Sequence, residues 1–286
     1  MAPVECQAIR RRNQQDSFIP QSAIRQINHS KQEEETKVDD IKPGRFQNGW
    51  VSMRTKVRAI LFDLDGTLLN TIRDIGIATN HALKEHNLPG HNLKAYRDMV
   101  GGGLRNLVEQ SLQRSTTARD NIPNIVNVKE SSDKSLIDNV LKSVLHKYNE
   151  CCCEYTKPYP GITDLLKELA ALKIPMSILS NKDHDLTVKI VSKILEDHKF
   201  EVVLGAREGI PKKPNPQSTL EVSEKMNISP VNFLFVGDTS ADVQAAKASK
   251  MEPVGVSWGY RSIEHLKQAG VKNIINHPLE LLDLIV

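Results

Sequence analysis

Asp63-Leu64-Asp65-Gly66-Thr67 sets two carboxylates two residues apart, directly after the apolar run Ala59-Ile60-Leu61-Phe62. No helix fits between run and pair, so the carboxylates stand at the end of a buried strand. Carboxylates repel one another and resist burial, so a chain that places them there needs a cation or a reaction. Asp-Gly alone is a common turn pair; D-x-D-G-T at the end of an apolar strand is a rarer arrangement. Two more polar clusters follow apolar runs: Ser180-Asn181-Lys182 after 176–179, and Gly237-Asp238-Thr239-Ser240-Ala241-Asp242 after 233–236. Between them lies Pro211-Lys212-Lys213-Pro214-Asn215-Pro216. Asp63, Asp65, Asp238 and Asp242 are hard oxygen ligands, a set that suits Mg2+. The nine His are scattered and no His/Cys cluster competes for zinc or iron. At least one Lys of these clusters, a hydroxyl, and the N–H groups of Gly-containing turns suit a phosphate dianion. An Asp beside a metal and a phosphate can act as a nucleophile. Charge alone therefore leads to phosphoryl transfer.

These residues work together only if the strands that carry them are parallel and end on one edge. The pattern predicts this. A first strand over 57–62 is followed by helical periodicity over 71–86, with Ile72, Ile75, Thr79, Ala82 and Leu83 on one side, stopped by Leu88-Pro89-Gly90. Further helices are expected near 93–99, 103–113 and 136–148, with a polar surface insertion over 115–135 and no strand between 70 and 157. Asn70 and Thr71 read as the cap of the first of these helices. Pro158-Tyr159-Pro160-Gly161 marks a boundary. After it, strands expected at 176–179, 202–204, 233–236, 253–256 and 274–275 alternate with helices at 165–173, 185–195, 216–226, 241–249, 263–269 and 279–284. This is an α/β pattern: a doubly wound, Rossmann-like parallel sheet with an inserted all-helical cap. The expected organisation is a catalytic core over 53–69 plus 158–286 and a cap over 70–157. Ligands of such sheets bind at the carboxyl ends of the strands.

Composition narrows the class. The chain has 286 residues, 39% hydrophobic and 26% charged, enough for a substantial core. A net charge of +3 is too mild to argue for nucleic acid, and no apolar run approaches the roughly 18 residues of a membrane span. Residues 1–52 are polar and lack periodicity, which predicts a disordered extension. Arg10-Arg11-Arg12 there is balanced by Glu33-Glu34-Glu35; the acidic residues and few Ser count against a mitochondrial transit peptide and favour a cytoplasmic protein. Met53 opens directly onto the first strand, and a start there would give a self-contained globular protein. Of four Cys, the run Cys151-Cys152-Cys153 fits neither a zinc site nor a disulfide framework and reads as packing thiols.

The ordered set D-L-D-G-T, S-N-K, K-P-N-P and G-D-T-S-A-D resembles the four motifs of the haloacid dehalogenase-like superfamily of hydrolases. Gly255-Val256-Ser257-Trp258-Gly259-Tyr260 and Val100-Gly101-Gly102-Gly103-Leu104-Arg105 are similar to its phosphoglycolate phosphatase branch. The resemblance covers about residues 57–286. It implies that Asp63 attacks phosphorus and forms an aspartyl-phosphate. Asp65 would protonate the leaving oxygen and then activate water. Mg2+ would be held by the Asp63 carboxylate, the Asp65 main-chain carbonyl and Asp238, with Asp242 supporting it from behind or through water. Thr67, Ser180, Asn181, Lys213 and Arg105 would contact a small phosphate ester, 2-phosphoglycolate at branch level, under a closing cap.

Other readings stand beside these. Ser180-Asn181 also fits a helix cap, Asp242 a helix-dipole charge, Lys212-Lys213 a solvated pair, and Arg105 the start of a cap helix. A phosphatase for another small ester, a pyrophosphatase or a sugar phosphomutase would use the same groups, and a non-catalytic binding module would need none of them. A dehalogenase attacks carbon without a metal; its relatives in the superfamily generally lack the second Asp, so Asp65 speaks against it.

Overall fold

The computed structural model describes residues 56–119 and 134–285. The extension expected over 1–52, and 120–133 of the polar insertion, lie outside the described residues. In chain order, β1 (Ala59–Phe62) leads through β2 (Leu69–Asn70) into α1 (Ile72–Glu85), α2 (Leu93–Met99), α3 (Leu104–Arg119) and α4 (Lys134–Cys151), and returns through β3 (Lys157–Pro158). Then follow α5 (Ile162–Ala171), β4 (Met176–Asp183), α6 (His184–Ile194), β5 (Val202–Ala206), α7 (Gln217–Met226), β6 (Phe233–Gly237), α8 (Ser240–Ala248), β7 (Glu252–Val256), α9 (Ile263–Gln268) and β8 (Asn273–Ile275). The closing segment Pro278–Leu284 is a 3-10 helix, not an α-helix.

The parallel sheet has the order β5-β4-β1-β6-β7-β8. Every residue of β1 is buried, as expected of a central strand covered on both faces. One face packs Ile60, Phe62, Ile178 and Val236 against Leu165, Leu169 and Ile190. The other packs Leu61, Leu179 and Phe235 against Val222 and Ala245. Register places Phe62 opposite both Ile178 and Val236. The chain fills the β4–β5 side first and then crosses to β6, so a crevice opens at the carboxyl end of β1, where the winding reverses.

Two expectations about strands are corrected. β4 does not stop at 179: it runs to Asp183, with a register shift against β5 between Leu179 and Asp183. The Asp183 carboxylate caps α6, accepting from the N–H of Asp185 (3.1 Å) and Leu186 (3.2 Å), so Ser180-Asn181 is not that cap. The expected absence of strand between 70 and 157 also fails at its margins. β2 and β3 pair antiparallel, Leu69 with Pro158 and Asn70 with Lys157, tying the two ends of the helical insert together. The polar insertion begins as helix: Ser115 lies in α3, buried, its hydroxyl on the Pro89 carbonyl (2.9 Å).

The insert has its own core, in which Ala82 and Leu83 meet Val108, Val140 and Val144. A second apolar patch, Ile75, Met99, Leu107 and Tyr148, joins the core below the sheet edge. Cys151 and Cys152 are buried and free; burial pushes the Cys151 thiol up to about 11, which fits a packing role. Among the described residues no helix is long and apolar enough to cross a membrane.

Candidate active site

Asp63 follows β1 with its N–H on the Val236 carbonyl (2.9 Å), which sets its carboxylate beside the end of β6. Lys213 approaches from the loop before α7. Its Nζ lies 2.7 Å from Asp63 Oδ1 and 2.7 Å from Asp242 Oδ1, and donates to the Leu179 carbonyl (2.7 Å). Asn181 holds that loop in place: its Oδ1 accepts from Lys213 N (2.8 Å) and its Nδ2 donates to Lys213 O (3.0 Å). The same Nδ2 donates to Gly101 O (3.0 Å) in the insert. The Asn181 side chain is therefore a brace for Lys213 and the insert, a role that was not foreseen. Ser180 is buried and lines the same cavity.

Asp238 and Asp242 complete the acidic group. One oxygen each of Asp63, Asp238 and Asp242 lie within 4.8 Å of one another, and all three residues are buried. Asp242 Oδ2 accepts from the N–H (3.0 Å) and hydroxyl (2.6 Å) of Thr239, closing the first turn of α8, while Oδ1 faces Lys213. The helix-start reading of Asp242 holds, and the same carboxylate pairs with Lys213. Asp238 Oδ2 accepts from Tyr260 N (2.7 Å); Oδ1 is buried without a hydrogen-bond partner. Glycine is required around it. Gly66 has φ +88°, and a Cβ there would lie 2.8 Å from both the Asp238 carboxyl carbon and the Tyr260 ring. A Cβ on Gly259 would strike Asp238 as well.

Three carboxylates face one ammonium, so with all ionised the group carries two uncompensated negative charges. Burial pushes Asp63 up to about 7, with Asp242 and Asp65 adding and Lys213 opposing. Burial first, then Asp63 and Asp242, hold Asp238 well above the carboxylate range. Lys213 is raised overall: burial lowers it, but the Asp242 and Asp63 carboxylates outweigh that. Desolvating each ion costs several kcal/mol, which a single ammonium does not offset for three acids. The orphaned Asp238 oxygen and the surplus of two charges fit a hard divalent cation with oxygen ligands.

Asp65 stands apart from this group. Its Oδ1 accepts from the Thr71 hydroxyl (2.6 Å), and Lys182 Nζ lies 2.9 Å from its Oδ2. Thr71 occupies the N-cap position of α1 but makes no side-chain cap; its hydroxyl is turned to Asp65 instead. Tyr260 Oη pins Thr71 through N (3.0 Å) and Oγ1 (3.1 Å), and Trp258 Nε1 donates to Thr67 O (3.0 Å). The run after β7 thus locks the turn after β1. An aromatic pair just past a strand end on the shared edge was the available signal.

Two expected substrate contacts are not brought to the cavity. Arg105 is directed elsewhere: its guanidinium pairs with Asp138 of α4 and with Glu109 (4.0 Å) on the exposed side of α3. Thr67 is fully buried under the Trp258 contact, and its hydroxyl has no partner and does not line the cavity. The cavity, about 40 Å³, has Asp63, Asp65, Ser180, Lys182, Lys213 and Asp242 on the sheet side. Ile75, Val100, Leu104 and Leu107, with Gly101 and Gly103, form the insert side.

Residues 60–256 match the family model described as haloacid dehalogenase-like hydrolase. The chain belongs to that family of enzymes. It is 30% identical to the phosphoglycolate phosphatase of Chromobacterium violaceum over 231 residues, 80% of this chain and 96% of that one. It is 26% identical to the N-acetylmuramic acid 6-phosphate phosphatase of Pseudomonas aeruginosa over 233 residues, 81% and 96% of the two chains. The crystal structure of a Lactobacillus delbrueckii subsp. bulgaricus protein superposes with a TM-score of 0.73 at 26% identity, covering 81% of this chain and 99% of that one.

Proposed function

We propose that the protein is a Mg2+-dependent phosphatase that hydrolyses a small phosphate monoester, 2-phosphoglycolate, through an aspartyl-phosphate. The observation that carries this reading is the buried Lys213 bridging Asp63 and Asp242 at 2.7 Å each, beside an Asp238 oxygen with no partner. The activity of the C. violaceum relative supports the substrate.

Asp63, Asp238 and the Asp65 carbonyl would hold Mg2+, which supplies charge neutralisation so that an anionic nucleophile meets an anionic ester. A carboxylate oxygen of Asp63 attacks phosphorus. As the O–P bond forms, the bond from phosphorus to the ester oxygen breaks, and that oxygen takes a proton from Asp65. Asp65, now a carboxylate, removes a proton from water as the water oxygen attacks phosphorus. The Asp63–phosphorus bond breaks and phosphate leaves. Lys213 and Ser180 stabilise the phosphoryl oxygens, and Asp242 keeps Lys213 in place. The insert, residues 70–157, acts as a cap whose apolar wall excludes water during the transfer.

A panel of small esters assayed with Mg2+ and with EDTA tests this, including 2-phosphoglycolate, N-acetylmuramic acid 6-phosphate and a hexose phosphate. Mg2+-dependent phosphate release, fastest from 2-phosphoglycolate, is expected. No release from any ester would end the phosphatase reading, and a preference for a sugar phosphate would replace the substrate.

A further inference from the structure

Lys182 has no part in the scheme above, yet it is the second buried lysine of the site, its side chain 2% exposed. A buried ammonium is costly unless fully engaged. Its two charged or polar partners come from opposite sides of the cavity. On the sheet side Nζ lies 2.9 Å from Asp65 Oδ2. On the insert side it donates to Tyr148 Oη (2.7 Å) near the end of α4, and it lies 4.6 Å from the centre of the Tyr148 ring. Tyr148 is fully buried, and burial, followed by the nearby Asp65 charge, keeps its hydroxyl protonated. With Thr71 on Oδ1 and Lys182 on Oδ2, both oxygens of the Asp65 carboxylate are pinned, one by the segment entering the insert and one by a residue seated on it.

We propose that Lys182 is a positioning residue that ties the Asp65 carboxyl group to the seating of the cap through Tyr148. When α4 is seated, Tyr148 and Lys182 hold Asp65 in one orientation toward the leaving oxygen. When α4 moves away, Lys182 loses its partner on the insert and Asp65 loses that restraint. Proton delivery is thereby confined to the closed, water-excluding state. The inference rests on the reading of Asp65 as the acid for the leaving group.

The two fail differently in a leaving-group experiment. kcat/KM covers all steps through departure of the leaving group. 2-Phosphoglycolate leaves as an alkoxide that needs a proton; p-nitrophenyl phosphate leaves as a phenolate that does not. Lys182→Met should lower kcat/KM about 100-fold on 2-phosphoglycolate and under about 5-fold on p-nitrophenyl phosphate, the lower range of what a placed general acid contributes. Tyr148→Phe, which keeps the ring and the packing, should act in the same direction by about 10-fold and add little in the Lys182→Met background. Equal losses on both esters in both variants would make Lys182 a phosphate-binding or structural residue and overturn the inference. If Asp65→Asn shows the leaving-group dependence and Lys182→Met does not, the link fails and the acid assignment stands. If neither shows it, both are overturned.

Discussion

The two walls of the cavity are built on opposite principles. The sheet wall concentrates charge: Asp63, Asp65, Asp242, Lys182 and Lys213 line it, with Asp238 beside them, carried by strands, by the first turn of α8 and by the loop before α7, and joined by short ion pairs. The insert wall is apolar, Ile75, Val100, Leu104 and Leu107, and meets the sheet wall through Gly101 O on the Asn181 amide and Tyr148 Oη on Lys182. The groups proposed to make and break bonds sit on or beside strands whose parallel register is fixed. In the proposed function, exclusion of water and choice of leaving group would fall to elements joined to the core by the two-residue strands β2 and β3. If this division is right, substitutions on the sheet wall should act on the chemical step, and those on the insert should act on substrate choice or not at all.

The largest effect should come from Asp63→Asn, which keeps the shape and removes the nucleophile. Phosphate release should fall by at least about 10⁴-fold, the scale on which covalent machinery is lost, and labelling of the protein by ester phosphate should vanish. Surviving turnover at even a hundredth of the parent rate would break the covalent reading. Lys213→Met comes next. It removes the ammonium between Asp63 and Asp242 and leaves three acids crowded, so kcat should drop by about 10³-fold, with a lower Tm relieved by Mg2+. A KM change alone would place Lys213 outside the transition state.

The acidic group itself can be probed without turnover. Asp63 is raised by burial to about 7, above its ordinary value. An acid whose folded pKa is raised binds its proton more tightly folded than unfolded, so the Asp63 contribution to the stability of the cation-free protein falls as pH climbs from about 4 to 7, and the raised Asp238 adds to the fall. A divalent cation takes the ionised form. Mg2+ should therefore raise Tm by several °C at pH 8 and by under about 2 °C at pH 6. Equal shifts at both pH values would mean that the cation does not meet this group.

What could be read in advance follows the same division. β1 is a continuous apolar run and its acids stand where it ends; parallel strands bring Asp63 and Asp238 to one edge, so the acids of the sheet wall were legible from residue types, whereas Lys213 was singled out by the resemblance. Asp242 was legible as a helix-start acid and was expected to support the metal; its pairing with Lys213 was not legible, because the loop carrying Lys213 had first to be placed. Lys182 was not legible: successive strand residues alternate faces, and the register shift between Leu179 and Asp183 decides where it points. Tyr148 in a helix has the pattern of a plain core residue, which it also is. β2 and β3 are too short to carry any period.

Arg105 is the sharpest test of the comparison from the insert side, and the smallest expected effect. By type and position, after three glycines at a helix start, it resembles an anion-binding arginine. The structure gives its guanidinium to Asp138 and Glu109 at the exposed side of α3. Exposed ion pairs of this kind contribute little. Arg105→Ala should leave kcat/KM on 2-phosphoglycolate within about twofold of the parent and Tm within about 2 °C. A tenfold rise in KM with unchanged kcat would show that Arg105 leaves Asp138 for the substrate carboxylate during closure. The insert wall would then carry a charged contact of its own, and the division between a charged floor and an apolar lid would apply only to the state without substrate.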